Sequence, residues 1–209
     1  MTKGRTAWHQ LASREQAQGC RSMASTQRLT LAEFLALPDE EPALELEPDG
    51  VVVQKVSPNG RHGRLQLVVC ERINEFAESH RMAMAFPELR VVFGGAAYVP
   101  DVSVFGWGRI PRTPDGEIAD IFEEPPDAAI EIVSPQQSIN AVLRRCVWYV
   151  EHGVGLALVV DPVDRSVVRF DRGQAPHALR GEDRIDFEPA LHGFALTVDE
   201  LFGALRIDA

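Results

Sequence analysis

The sequence predicts a mixed α/β fold in which a β-sheet is covered by helices on at least one face. Three observations carry that expectation. Residues 62–80 and 139–150 repeat apolar side chains at helical spacing, and short strand-like runs punctuated by glycine and proline lie between and after them. One run, residues 128–133, is apolar on both faces except for Glu131, as expected of a strand in the interior of a sheet. At 209 residues the chain fits one large domain, expected over 28–209.

Residues 1–27 carry Lys3, Arg5, Arg14 and Arg21 against Glu15 without an apolar period, so a disordered tail is expected, with Met23 as an alternative start. Thr30-Leu31-Ala32-Glu33 is a capping-box pattern, and Leu31, Phe34 and Leu35 continue it into a short helix closed by Pro38. Residues 43–56 read as a β-hairpin around Pro48-Asp49-Gly50, and Ser57-Pro58-Asn59-Gly60 then breaks the chain. Leu65, Val69, Ile73 and Phe76 share one face of a long helix. Strand-like runs at 84–93 and 98–105 flank Gly94-Gly95, and residues 106–127 form a long acidic loop. Ser134-Pro135 ends the interior strand, and Ile139, Val142, Cys146 and Val150 mark a second helix. Residues 156–160 and 167–170 pair across Asp161-Pro162-Val163-Asp164, with more β-structure over 176–187. Thr197-Val198-Asp199-Glu200 is a second capping box, opening a terminal helix with Leu201, Phe202 and Leu205.

Composition narrows the function. A net charge of −10 argues against a protein that coats nucleic acid, although a divalent metal could supply positive charge locally. The longest apolar runs are too short to cross a bilayer, and the N-terminal stretch lacks the apolar segment of a secretory signal, so no membrane association and a cytoplasmic location are expected. Cys20, Cys70 and Cys146 have no spacing typical of a disulfide framework or a zinc site. Gly94-Gly95 lacks the pattern of a phosphate-cradling loop, and no Gly-x-Ser-x-Gly elbow is present. The only lysines are Lys3 and Lys55.

Two acids stand where acids are expensive. Asp101 lies in YVPDVSVF and Glu131 in AAIEIV, and a carboxylate inside an apolar strand costs several kcal/mol unless a partner or metal compensates it. On neighbouring strands the two could converge on Mg²⁺ or Mn²⁺, with Glu88 in FPELRV completing the acid cluster or pairing with a basic residue. Six acids between Asp115 and Asp127 join the Asp101 strand to the Glu131 strand, which raises the expectation that this loop limits access of a negatively charged substrate to the site.

The order Pro100-Asp101 then Glu131 resembles the PD-(D/E)xK nucleases. Nine segments in sequence, from LTLAEFLALP through LELEPDG, SPNGRHGRLQ, FPELRV, YVPDVSVF, PPDAAIEIVSPQQS, WYVEHGV and VVDPVDRSVVRF to LTVDELF, are similar to the Uma family of restriction-type endonucleases. The resemblance implies a restriction-endonuclease-like core, with an added N-terminal hairpin and a C-terminal β-rich segment plus helix, and Mg²⁺-dependent hydrolysis of DNA. It implies Asp101 and Glu131 as metal ligands, Glu45 as a further site acid with Glu47 as the alternative, and His62 as a histidine near phosphate or water. A homodimer is compatible with it. The lysine of the superfamily, two residues beyond the glutamate, is here Val133, and the helix position where Uma proteins carry theirs is Arg145. Arginine can clamp a phosphate but cannot act as a base, because its pKa stays above ~12. Lys55 could supply the missing ammonium. The departure keeps a second expectation alive, a catalytically weakened nuclease fold serving as a DNA- or protein-binding regulatory module.

Overall fold

The computed structural model describes residues 28–135 and 137–207, so the expected N-terminal tail and the question of Met1 or Met23 as the start lie outside the described residues. The capping boxes form as read. Thr30 caps α1 (Leu31–Leu35), and Thr197 caps α4 (Val198–Gly203). The hairpin pairs β1 (Leu44–Leu46) with β2 (Val52–Gln54), and α2 (Gly60–Ala77) follows, capped by Asn59. Asn59 Oδ1 accepts from the amides of Arg61 at 3.0 Å and His62 at 3.1 Å, which fixes the first turn.

Each of the two strand-like runs before the loop is divided between sheets. The first gives β3 (Ala83–Pro87) and β4 (Val91–Phe93), and the second β5 (Ala96–Tyr98) and β6 (Val102–Gly106). Glu88, with a φ of 49°, turns the chain out of β3, and Val99-Pro100-Asp101 carries it back into β6. The interior strand is β7 (Ala128–Ile132), followed by α3 (Ile139–Glu151), β8 (Leu156–Asp161) and β9 (Ser166–Asp171). The C-terminal part adds β10 (His177–Arg180), β11 (Arg184–Asp186) and β12 (Ala195–Thr197), the last of which has no clear pattern in the sequence.

The main sheet has the order β10-β9-β8-β7-β6-β3. Only β7 and β8 run parallel, joined by the α3 crossover, and the remaining pairs are antiparallel. Strand alternation then sorts the core. Ile130, Ile132, Leu158 and Val160 face α2 and the C-terminal segment, whereas Ala129, Ala157 and Val159 pack under α3 with Val142, Cys146 and Tyr149. A smaller antiparallel sheet, β2-β1-β5-β4, lies on the α3 side, where Val91, Phe93, Ala96 and Tyr98 join the same core. This is the mixed sheet with helices on its faces that the pattern predicts. No helix among the described residues is long and apolar enough to cross a membrane. Cys70 and Cys146 are buried free thiols.

The edge strand β3 is not bare. Asn74 of α2 accepts from the Ala85 amide at 2.7 Å and donates to the Ala85 carbonyl at 3.1 Å. Gly94-Gly95 makes the tight turn between β4 and β5, with φ of 58° and 81°. A Cβ at Gly94 would lie 2.8 Å from the Trp148 ring, whereas one at Gly95 would meet nothing within 4 Å. Gly94→Ala is therefore expected to destabilise the protein by about 1–3 kcal/mol and Gly95→Ala by less, because only the first adds a clash to the backbone strain. Chemical denaturation of the two variants checks this; equal losses would mean that the Trp148 contact does not matter.

Candidate active site

Antiparallel pairing of β6 with β7 sets Asp101, one residue before β6, against the end of β7 that carries Glu131. The Asp101 carboxylate prolongs the ladder by accepting the Ile132 amide at Oδ2, 2.7 Å away. Oδ2 also receives His62 Nε2 at 2.9 Å, and Oδ1 receives Lys55 Nζ at 2.8 Å. Asp101 is only 3% exposed. Burial alone would raise its pKa, but the His62 hydrogen bond and the Lys55 charge more than offset that and hold the carboxyl below its usual range.

Lys55, just past β2, reaches the site from the hairpin. Its Nζ touches Glu88 Oε2 at 2.8 Å and the Val99 carbonyl at 2.7 Å as well as Asp101. Burial opposes its charge, yet Asp101, Glu131 and Glu88 together push the ammonium pKa above its ordinary value. Glu88 sits at the left-handed corner after β3 rather than on the strand, and it pairs with Lys55, not with neighbouring Arg90. Its Oε1 accepts from Gln66 Nε2 at 2.9 Å, and the same Gln66 amide group donates to the Asp101 carbonyl at 2.8 Å.

Across the site, Glu131 points to the α3 face. Tyr149 donates its hydroxyl to Glu131 Oε1 at 2.7 Å, and Arg145 Nη1 lies 3.8 Å from the same oxygen. Burial pushes the Glu131 carboxyl up to about 8, with Arg145 opposing and Asp101 adding to the rise. Arg145 is not a solvated helix-face charge. Its side chain is 18% exposed, meets Glu45 at 2.7 Å and Glu47 at 3.6 Å, and stacks 4.8 Å above the Tyr98 ring. Glu45 also accepts the Val99 amide at 2.9 Å, and burial raises its pKa despite Arg145. Glu45 and Glu47 share a side because they are two residues apart on extended chain. The former is the buried site acid, while the latter accepts from the Tyr98 hydroxyl at 2.5 Å.

All seven residues singled out from the sequence, Glu45, Lys55, His62, Glu88, Asp101, Glu131 and Arg145, are therefore linked through shared partners at this end of the sheet. His62 is buried, spends Nε2 on Asp101 and leaves Nδ1 without a partner among the described residues. Val133 lies two residues past Glu131 and packs into the apolar core under α3. No three His, Cys, Asp or Glu side chains among the described residues are arranged as a ready metal-ligand group. Gln66 and Tyr149 escaped the sequence reading. Each lies four residues from a recognised site residue, His62 or Arg145, hence on the same helix face.

The acidic loop needs correction. Its ends leave β6 and enter β7 beside the Val104–Ala128 pair, at the opposite end of these strands from Asp101 and Ile132. Arg109 staples the loop there through Asp127 at 2.5 Å and the Pro125 carbonyl at 2.7 Å. Its ends are not anchored beside the site, so the ground for reading the loop as a gate is lost. Next to Arg145 instead opens a cavity of about 550 Å³, lined by Glu47, Pro48, Tyr98, Arg144 and Trp148.

The model of a family described as "Uma2: Putative restriction endonuclease" matches residues 31–199. The chain belongs to the Uma2 family. A crystal structure titled as a "putative nuclease belonging to DUF820" from Anabaena variabilis ATCC 29413 superposes with a TM-score of 0.82 and 37% identity, covering 85% of this Uma2 chain and 99% of the other. No curated protein matches.

The raised Glu131 pKa fixes a pH effect. A carboxyl whose folded pKa lies above its unfolded value stabilises the fold at low pH and loses that contribution as pH rises through about 8. In metal-free protein, Glu131→Gln should therefore gain stability relative to wild type between pH 5 and pH 8, as roughly expected for removal of a buried ionising group. Thermal melts across that range test it, and a constant difference would mean that Glu131 ionises normally.

Proposed function

We propose that this Uma2 protein hydrolyses DNA phosphodiester bonds at a divalent-metal site formed by Asp101 and Glu131. One observation carries the reading. At the C-terminal end of β7, five carboxylates, Glu45, Glu47, Glu88, Asp101 and Glu131, gather around only two cations, Lys55 and Arg145. Burial, with Asp101 adding to it, raises the Glu131 pKa in this setting.

The donor set suits Mg²⁺ or Mn²⁺, which prefer oxygen ligands and retain waters, so two carboxylates are enough protein ligands. When bound, such an ion would polarise water for attack on phosphorus and neutralise charge on the phosphate. The protein's own groups prepare that chemistry. His62 and Lys55 keep Asp101 anionic, and Tyr149 fixes the rotamer of Glu131. Glu45 anchors Arg145, whose guanidinium borders the cavity where a phosphate group would lie and can offer it fixed positive charge. Arg145 cannot remove a proton from water, and Val133 offers no amine. Among the described residues Lys55 is therefore the one ammonium at the site, held in place by Glu88.

The reading is tested with plasmid DNA in the presence and absence of Mg²⁺ or Mn²⁺. Asp101→Asn should abolish both cleavage and the principal Mn²⁺ site in calorimetry; unchanged Mn²⁺ binding would remove the metal assignment. Arg145→Lys should keep or raise the cleavage rate. Arg145→Ala should lower it by the roughly 2–4 kcal/mol typical of a lost transition-state charge contact and should also destabilise the fold, since Glu45 would be left buried without its partner. Metal-dependent DNA binding without cleavage would favour the regulatory module instead.

A further inference from the structure

We infer that Lys55 occupies the Asp101 oxygen that a divalent cation would take, so that metal binding and release of the Lys55 ammonium are a single exchange. The inference rests on the metal site proposed at Asp101 and Glu131. An ammonium has three N–H donors, and those of Lys55 are all spent, on Asp101 Oδ1 at 2.8 Å, Glu88 Oε2 at 2.8 Å and the Val99 carbonyl at 2.7 Å. Two carboxylates and a main-chain carbonyl are the oxygen set a hard cation takes. With its side chain 8% exposed and no donor free, Lys55 cannot bind a phosphate from this position.

Asp101 Oδ2 already accepts His62 and the Ile132 amide, so an added cation would have to share Oδ1 with the Lys55 ammonium. Two cations in contact with one oxygen repel strongly in a buried site. Lys55 must therefore leave Asp101 when a metal enters. Glu88, whose side chain is 40% exposed, is the solvent-facing wall of the cage. Once released, Lys55 swings on its flexible stem with free N–H groups, which supplies the phosphate-binding ammonium that Val133 and Arg145 do not.

The chain has only Lys3 and Lys55, so the exchange can be followed on wild-type protein by reductive methylation and peptide mass spectrometry, with Lys3 as internal reference. Lys55 should react slowly without metal and about tenfold or more faster at saturating Mg²⁺. Lys55→Met, which keeps the length and removes the charge, should tighten Mn²⁺ binding in calorimetry by about tenfold or more. Mn²⁺ binding to wild type with Lys55 reactivity unchanged would overturn the exchange and leave the metal site standing, as would equal or weaker binding by a folded Lys55→Met. Absence of Mn²⁺ binding in both proteins would remove the exchange and the metal site together.

Discussion

Buried carboxylates must bring their cations with them, because an unpaired charge away from water costs several kcal/mol. In this protein that requirement dictates which elements may meet. Asp101 and Glu131 are fixed by the main sheet, yet their partners come from three other places: Lys55 from the hairpin, His62 from α2 and Arg145 from α3. The Arg145–Glu45 contact, across 100 residues of sequence, ties the smaller sheet to the crossover helix. The hairpin is thus an integral wall of the site and not an appendage to it.

The same charge balance explains how the family pattern can be altered without emptying the site. The position two residues beyond Glu131 faces the core under α3, and Val133 fills it with apolar surface. Arg145 keeps a positive charge beside Glu131 while using its second face on Tyr98. Lys55 then stands near Asp101 by a route unrelated to β7. Its place beside Asp101 is set by the hairpin's reach.

Helices and caps were legible because their signals are local: apolar spacing for α2 and α3, and Thr with Glu three residues on for α1 and α4. Asp101 and Glu131 stood out because acids rarely sit in apolar strands. The sheet change at Glu88 was hidden, since a non-glycine residue with positive φ announces nothing in the sequence. For the same reason the seven residues could be nominated but their pairings could not. Whether Glu88 meets Arg90 or Lys55 depends on which sheet each flanking segment joins. The acidic loop was misplaced by the same gap, because an antiparallel register decides which ends of two strands share a neighbourhood.

Asn74 carries a consequence beyond the site. In a sheet of this order β3 is an edge, and an edge with open amides and carbonyls is a template for a strand from another molecule. By bonding both main-chain groups of Ala85, the Asn74 side chain acts as a one-residue neighbouring strand. A strand added along β3 would find the main-chain groups at its middle already taken by a single amide side chain on α2.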